Sequence, residues 1–286
     1  MSRYACARDN GTVEHISRLV VLVECRGARG LVSPLKKSFA QRPLVLLFCY
    51  CIDARRGTWA VAMSVVVAFV SQKGGVGKST LARALVTSAT RAGLTAKLAD
   101  LDVQQRTVVT WELSRQRHNV RPAVTVDAFA NAAHALEIAI DEDLLILDMP
   151  GHVSDGTTEV ALHSDFLVQP TSPSADDLPI SLLVFEALER LGIPRDKLAF
   201  ALCRVLSSRE EETARARLTH SGYTVLKGSI FEHLRYREAM KLGRSIGETG
   251  KKALDARAEV LIGDLLQRAT SSAERNSPQR SDRRIA

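Results

Sequence analysis

Cysteine is scarce and unevenly placed in this chain. Of five cysteines in 286 residues, Cys6, Cys25, Cys49 and Cys51 precede Met63 and only Cys203 follows it. No disulfide framework or zinc-type spacing emerges, since the C-x-C pair Cys49/Cys51 has no second ligand pair beside it. One cysteine in the body also disfavours an iron–sulfur cluster there, which needs several thiolates. Aromatic residues are sparse at 5%, too few for a base-stacking platform, so Trp111 and Tyr236 read as packing residues. His118, His134, His152, His163 and His233 lack metal-like spacing. Long hydrophobic runs are missing as well: the ten residues from Pro43 to Ile52 are too few to span a bilayer and too far from Met1 for a secretory signal. No membrane segment and a reduced, cytoplasmic setting are therefore expected.

The positive charge is less widespread than the formal +7 suggests. Residues 1–62 carry 10 Lys/Arg against 4 Asp/Glu, residues 63–270 carry 25 against 26, and residues 271–286 carry 4 against 2. The body is nearly neutral, so any nucleic-acid affinity there has to come from a local patch. The same division marks the organisation. Residues 1–62 show no sustained period and are expected to be a poorly ordered or non-native upstream extension, the native chain starting at Met63; a genuine N-terminal module is the competing reading. Residues 63–270 read as one domain, and the polar, basic stretch 271–286 as a disordered tail.

From Ser64 onward, short β-branched runs alternate with longer helical ones. The pattern predicts an α/β fold with a doubly wound, mostly parallel sheet and helices on both faces. Strands are expected at Val65 to Val70, Thr95 to Ala99, Leu144 to Leu147, Phe166 to Gln169, Leu198 to Leu202 and Thr224 to Ile230. Helices are expected to start near Lys78, Gln104, Ala128, Ala175, Glu210 and Arg235, with a last one from Leu254 to Arg268.

Between the first strand and first helix lies KGGVGKST, Lys73-Gly74-Gly75-Val76-Gly77-Lys78-Ser79-Thr80. In that context glycines let backbone N–H groups close around phosphate oxygens, a lysine neutralises charge and a hydroxyl ligates Mg²⁺. Acidic residues closing other strands should face this loop. KLADLDVQQ ends the second strand with Asp100 and Asp102, and LLILDMPG places Asp148 after four apolar residues. Ser79, Asp100 and Asp148 are the candidate Mg²⁺ ligands. A lone strand-end aspartate is commonly a turn former or helix cap; three in register with a phosphate loop favour the metal.

The loop departs from G-x-x-x-x-G-K-[ST] in having Gln72 at the first glycine and an extra lysine, Lys73. In this it resembles the deviant Walker A box of the ParA/MinD superfamily of P-loop NTPases, and is most similar to the small ParA plasmid and chromosome partition proteins. The D-x-D-x-Q string resembles their DLDPQ signature, with Val103 replacing proline. The segment from Ile230 to Glu248 resembles their late motif, with Arg235, Ala239 and Gly243 at its spacing. Likeness extends through most of 64–250, including the polar loop from Gln169 to Leu178.

The resemblance implies ATP and Mg²⁺ as cofactors, with residues 73–80 holding the nucleotide. Lys73 is implied to reach a partner's phosphates in an ATP-bound homodimer, and Asp102 to position the attacking water; both count as catalytic. Many relatives have an asparagine that reads adenine where this chain has Cys203, so backbone groups around Cys203 and Arg204 are the candidates for the base. DNA contact is implied for Arg209, Arg235, Arg237, Lys241 and Arg244, a solvated helix face being the alternative. The expected function is a partition ATPase that binds DNA non-specifically as an ATP dimer at the nucleoid, with hydrolysis stimulated by a ParB-like partner. MinD-like positioning of another cargo, or a metabolic enzyme on the same fold, are the alternatives.

Overall fold

The computed structural model describes residues 51–53, 58–60, 64–137, 142–151 and 155–283. The expected N-terminal extension lies almost wholly outside these residues. Of it, only an antiparallel ribbon is described, β1 (Cys51–Asp53) against β2 (Thr58–Ala60).

The body is built on eight strands: β3 (Val65–Phe69), β4 (Ala96–Asp100), β5 (Thr125–Ala128), β6 (Leu144–Asp148), β7 (Phe166–Thr171), β8 (Leu198–Val205), β9 (Thr224–Val225) and β10 (Ile230–Phe231). They form one sheet in the order β10-β8-β7-β3-β6-β4-β5, with β9 also on β8, and every pair is parallel. Side chains alternate across each strand, and here both faces are covered, so β3 and β6 read as nearly unbroken apolar runs, VVVAF and LLILD. Val67, Phe69, Leu98, Ile146 and Val168 point to one layer. It contains α1 (Lys78–Arg91), α2 (Thr107–Arg117), α7 (Leu234–Lys241) and α8 (Lys252–Arg283). Val66, Ala68, Leu145 and Leu147 point to the other, formed by α3 (Ala132–Glu137), α4 (Asp155–His163), α5 (Asp177–Arg190) and α6 (Ser208–His220). The doubly wound expectation is therefore met. Strand order reverses around β3, which opens a crevice at its carboxyl end.

The differences from the sequence-based boundaries have local causes. The expected strand Thr224 to Ile230 is two short strands along one edge of β8, separated where Gly228 takes φ 71°. Strand β5 was not expected because it is a mostly exposed edge strand of four residues without an apolar run. Helix α2 starts at Thr107 rather than Gln104, because a turn closed by Asp102 occupies 102–106. Helix α4 escaped notice because it is short and begins in a polar stretch. Helix α8 continues to Arg283 instead of ending at Arg268, so most of the stretch read as a disordered tail is helical. Its extra turn is docked, with Ala269 buried and the Ser272 hydroxyl donating to the Asp165 carbonyl at 2.8 Å.

Helices α2 and the loop after α7 are joined by a buried ion pair. Arg115, 1% exposed, donates to both Glu248 carboxylate oxygens at 2.8 and 2.9 Å, and to the carbonyls of Pro122 and Gly243. Removing one partner strands the other in a low dielectric. We expect Arg115→Ala to cost about 3–5 kcal/mol in urea unfolding, and Arg115→Ala with Glu248→Ala to cost less than the two single changes added together.

Candidate nucleotide site

The phosphate loop springs from the carboxyl end of β3, the strand at the point of reversal. Two glycines take left-handed backbone there, Gly75 with φ 75° and Gly77 with φ 117°, which residues bearing a Cβ seldom adopt. Gly77 also lies close over β8 and β7: a Cβ on it would sit 3.3 Å from Cys203 Sγ and 3.7 Å from the Pro170 side chain. Val76 is buried and anchors the loop, whereas Lys73, Gly74 and Gly75 are exposed. Ser71 shapes its entry, its hydroxyl accepting from the Lys73 N–H at 3.1 Å. Helix α1 then begins with neither a side-chain cap nor an acidic residue in its first turn. Its first N–H groups and the positive end of its dipole are left for an anion.

Lys78 lies across this opening. Its ammonium is 3.4 Å from the Lys73 carbonyl, and a Cβ on Gly151 would come within 3.8 Å of it. Burial pulls its pKa below the ordinary lysine value, opposed by Asp148 and Asp102. Asp148, at the end of β6, is 1% exposed, and among the described residues neither carboxylate oxygen has a hydrogen-bond donor. Burial pushes its pKa up to about 7, with the nearby Ser79 hydroxyl acting in the opposite direction without completing a bond. A buried carboxylate with no donor, beside a hydroxyl and an open helix N-terminus, suits a divalent cation that is also bound by phosphate.

The other two aspartates are already engaged. Asp100 is fully buried; one oxygen accepts from Val108 N and Val109 N at 3.1 and 3.4 Å, the other from Asp102 N at 3.1 Å. It caps α2, the ordinary use of a strand-end aspartate, rather than presenting a bare carboxylate. Asp102 accepts from Gln105 N at 3.1 Å through one oxygen and from Arg106 N at 2.8 Å through its carbonyl. Its charge is felt at Lys78.

Lys73 is paired within its own chain, its ammonium bonded to Asp177 at the start of α5. Asp177 also accepts from the Ser172 hydroxyl at 2.6 Å. Burial acts to raise the Asp177 carboxyl, but Lys73 and Ser172 prevail and hold it below the usual range. Cys203, expected from the sequence to lie near the base, is 3% exposed, and burial pushes its thiol up to about 12. The thiol supports the underside of the loop. Arg204 is exposed, has φ 56° and pairs with Glu232.

Arg209, Arg235, Arg237, Lys241 and Arg244 are all exposed. Arg235 pairs with Glu238, and Arg237 with Glu232. Among the described residues, Arg209, Lys241 and Arg244 have no ion-pair partner. Sequence reasoning missed Asp177, although the acidic pair opening α5 was visible. It also missed Arg83, one helical turn after Ser79 and on the same side of α1. Arg83 is half-buried and donates to the Thr107 carbonyl at 2.7 Å; burial lowers its pKa, against the fields of Asp148 and Asp100.

The CobQ/CobB/MinD/ParA nucleotide binding domain profile matches residues 67–276. The chain belongs to that family, and its fold is the one shared by ParA- and MinD-type proteins. A putative plasmid partition protein from Borrelia burgdorferi bound to AMPPNP is 16% identical, with TM-score 0.57, covering 72% of this chain and 99% of that one. The septum site-determining protein MinD with Mg-ADP from Pyrococcus horikoshii is 18% identical, with TM-score 0.53, over 70% and 94%. A McdA–ATP complex from Cyanothece is 19% identical, with TM-score 0.53, over 71% and 96%. At these identities the likeness establishes the fold. No curated protein sequence matches the chain.

The raised Asp148 pKa gives a signed expectation. Between about pH 4 and pH 7 the folded protein holds a proton that the unfolded chain releases, so this group weakens the fold as pH rises through that window. Without nucleotide or Mg²⁺, Asp148→Asn should gain stability relative to the unchanged protein across the same window, by about 4 kcal/mol at pH 7.5. Thermal melts at several pH values read the difference.

Proposed function

We propose that this protein is an ATP-dependent switch of the partition type, a slow Mg²⁺-dependent ATPase that dimerises with ATP bound and then contacts DNA without sequence preference. The observation that carries the reading is the two-lysine loop at the uncapped N-terminus of α1, opposite the donorless Asp148. Nucleotide phosphates occupy the N–H groups of residues 74–80, with Lys78 as counter-charge. Ser79 and Asp148 are the residues that would hold Mg²⁺, and the ion supplies charge neutralisation on the phosphates. Asp100 holds the turn before α2 in place and acts on the ion at most through water. Asp102 orients the attacking water; orientation and charge stabilisation are most of what phosphoryl transfer requires.

Lys73 serves dimerisation. It is exposed at the mouth of the loop and stored against Asp177, so an incoming partner's phosphates compete with an internal carboxylate for it. The AMPPNP, Mg-ADP and ATP complexes of proteins with this fold support the choice of cofactor. The exposed arginines and Lys241 around α6 and α7 support DNA phosphate as the surface partner, with binding that weakens steeply as salt rises. A ParB-like protein as activator and a mobile element or plasmid as cargo complete the proposal, with action at the nucleoid. No described helix is long and apolar enough to cross a membrane.

Lys78→Ala should abolish nucleotide binding by calorimetry. Lys73→Ala should keep nucleotide affinity within about threefold but lose ATP-dependent dimerisation in sedimentation. Asp102→Ala should bind ATP and accumulate the dimer, with turnover down at least about 100-fold; turnover at the unchanged rate defeats the assignment. Arg235→Glu should weaken DNA binding at fixed salt and leave nucleotide affinity intact, whereas equal loss of both points to misfolding.

A further inference from the structure

Helix α7 carries Arg235, Arg237 and Lys241 outward; its buried Tyr236 donates to the Leu254 carbonyl of α8 at 3.2 Å, and its C-terminal end and the loop beyond are held by one face of α2. The last carbonyls of a helix have no partner within it, and beyond α7 they are taken up by side chains of α2. The Ser114 hydroxyl donates to the Lys241 carbonyl at 2.9 Å, the Trp111 indole N–H to the Arg244 carbonyl at 3.0 Å, and Arg115 to the Gly243 carbonyl at 3.0 Å. Residues 111, 114 and 115 have the i, i+3, i+4 spacing of a single helical face. Gly243, with φ 71°, rests directly on the α2 backbone; a Cβ there would lie 2.1 Å from the Arg115 nitrogen. Trp111 is flanked by the guanidiniums of Arg83 and Arg115, at 5.7 and 5.5 Å from its ring. The ties to α1 are peripheral: Thr80 and Arg83 each lie 3.8 Å from the Met240 sulfur, and Arg91, at the end of α1, donates to the Glu248 carboxylate in the loop after α7 at 2.9 Å.

The other end of α2 begins in the nucleotide site. Its first N–H groups are held by Asp100, and the turn leading into it is closed by the Asp102 carboxylate on Gln105 N. Arg106, the residue before α2, has φ 46°, a left-handed conformation costly for a side-chain-bearing residue. That turn is thus strained at Arg106 and closed by the carboxylate that a bound nucleotide and its water would claim.

We infer that α2 is a lever: nucleotide binding that draws Asp102 out of its turn moves the N-terminus of α2, and the grip of Trp111, Ser114 and Arg115 carries α7 and its basic face along. Coupling of this kind is a difference in free energy between two states of one body, so it is reciprocal. DNA seated on α7 tightens nucleotide binding by the factor that nucleotide tightens DNA. The role of Asp102 and the DNA partner rest on the function proposed above.

Hydrogen–deuterium exchange, with and without AMPPNP and Mg²⁺, tests the lever apart from those readings. In the unchanged protein AMPPNP should alter exchange both in 102–109 and in 236–247. In Trp111→Phe/Ser114→Ala the change should persist in 102–109 and vanish in 236–247, with AMPPNP affinity within about twofold. A second variant, Arg106→Gly, removes the strain and favours the turn as it stands, so it should reduce the response of 236–247 about fivefold. The lever is overturned if 236–247 responds undiminished in both variants, or if AMPPNP changes 102–109 in the unchanged protein without changing 236–247. Where DNA binds, the ratio of its affinities with AMPPNP and with ADP should fall about tenfold in Trp111→Phe/Ser114→Ala. A protein that binds DNA in neither nucleotide state refutes the DNA reading alone, since the exchange result decides the lever.

Discussion

The N-terminus of α1 carries backbone N–H groups that no side chain caps, at the end of a strand flanked by β6 and β7. Leaving such groups open at the edge of a core is unfavourable unless an anion takes them, and the surrounding structure is organised around that condition. The glycines of the loop keep the approach clear, and Val76 pins its base. Asp148, donorless on the neighbouring strand, adds a second unmet demand of opposite sign. Phosphate and a divalent cation together answer both, which explains why these two features occupy one crevice.

Charge is stored around this crevice rather than left free. Lys73 is exposed but held by Asp177, Arg83 lies within the fields of Asp148 and Asp100 and donates to the Thr107 carbonyl, and Asp102 closes a turn. Lys73 ties the loop to α5, Asp100 ties the end of β4 to the start of α2, and Arg83 ties α1 to the same point. The attachment continues outward, because the far end of α2 satisfies the carbonyls that α7 leaves open. The nucleotide crevice and the basic surface are thus joined through one short helix.

Gly243 illustrates how a sequence feature acquires a cause. Its spacing from Arg235 and Ala239 was visible as a family-like pattern, but nothing in the string Leu234 to Glu248 says that the glycine presses on the backbone of a helix some 130 residues earlier. Asp100 and Asp148 teach the complementary lesson. Both end apolar strands and looked equivalent, yet one spends its lone pairs on backbone N–H groups and the other on none. The distinction depends on where the following chain turns, which composition and periodicity do not encode.

The sequence by itself determined the parallel α/β architecture, the position and chemistry of the phosphate loop, and the strands whose ends supply acid. Those properties follow from local rules: side-chain alternation in strands, glycine freedom at a tight loop, and apolar runs where a sheet is covered on both faces. Only the tertiary structure decided which carboxylate is free, where Lys73 rests, that Cys203 supports the loop from beneath, and that Arg115 and Glu248 bind two distant segments. These depend on contacts between residues far apart in the chain, and their energies come from burial and desolvation that exist only once the layers have closed.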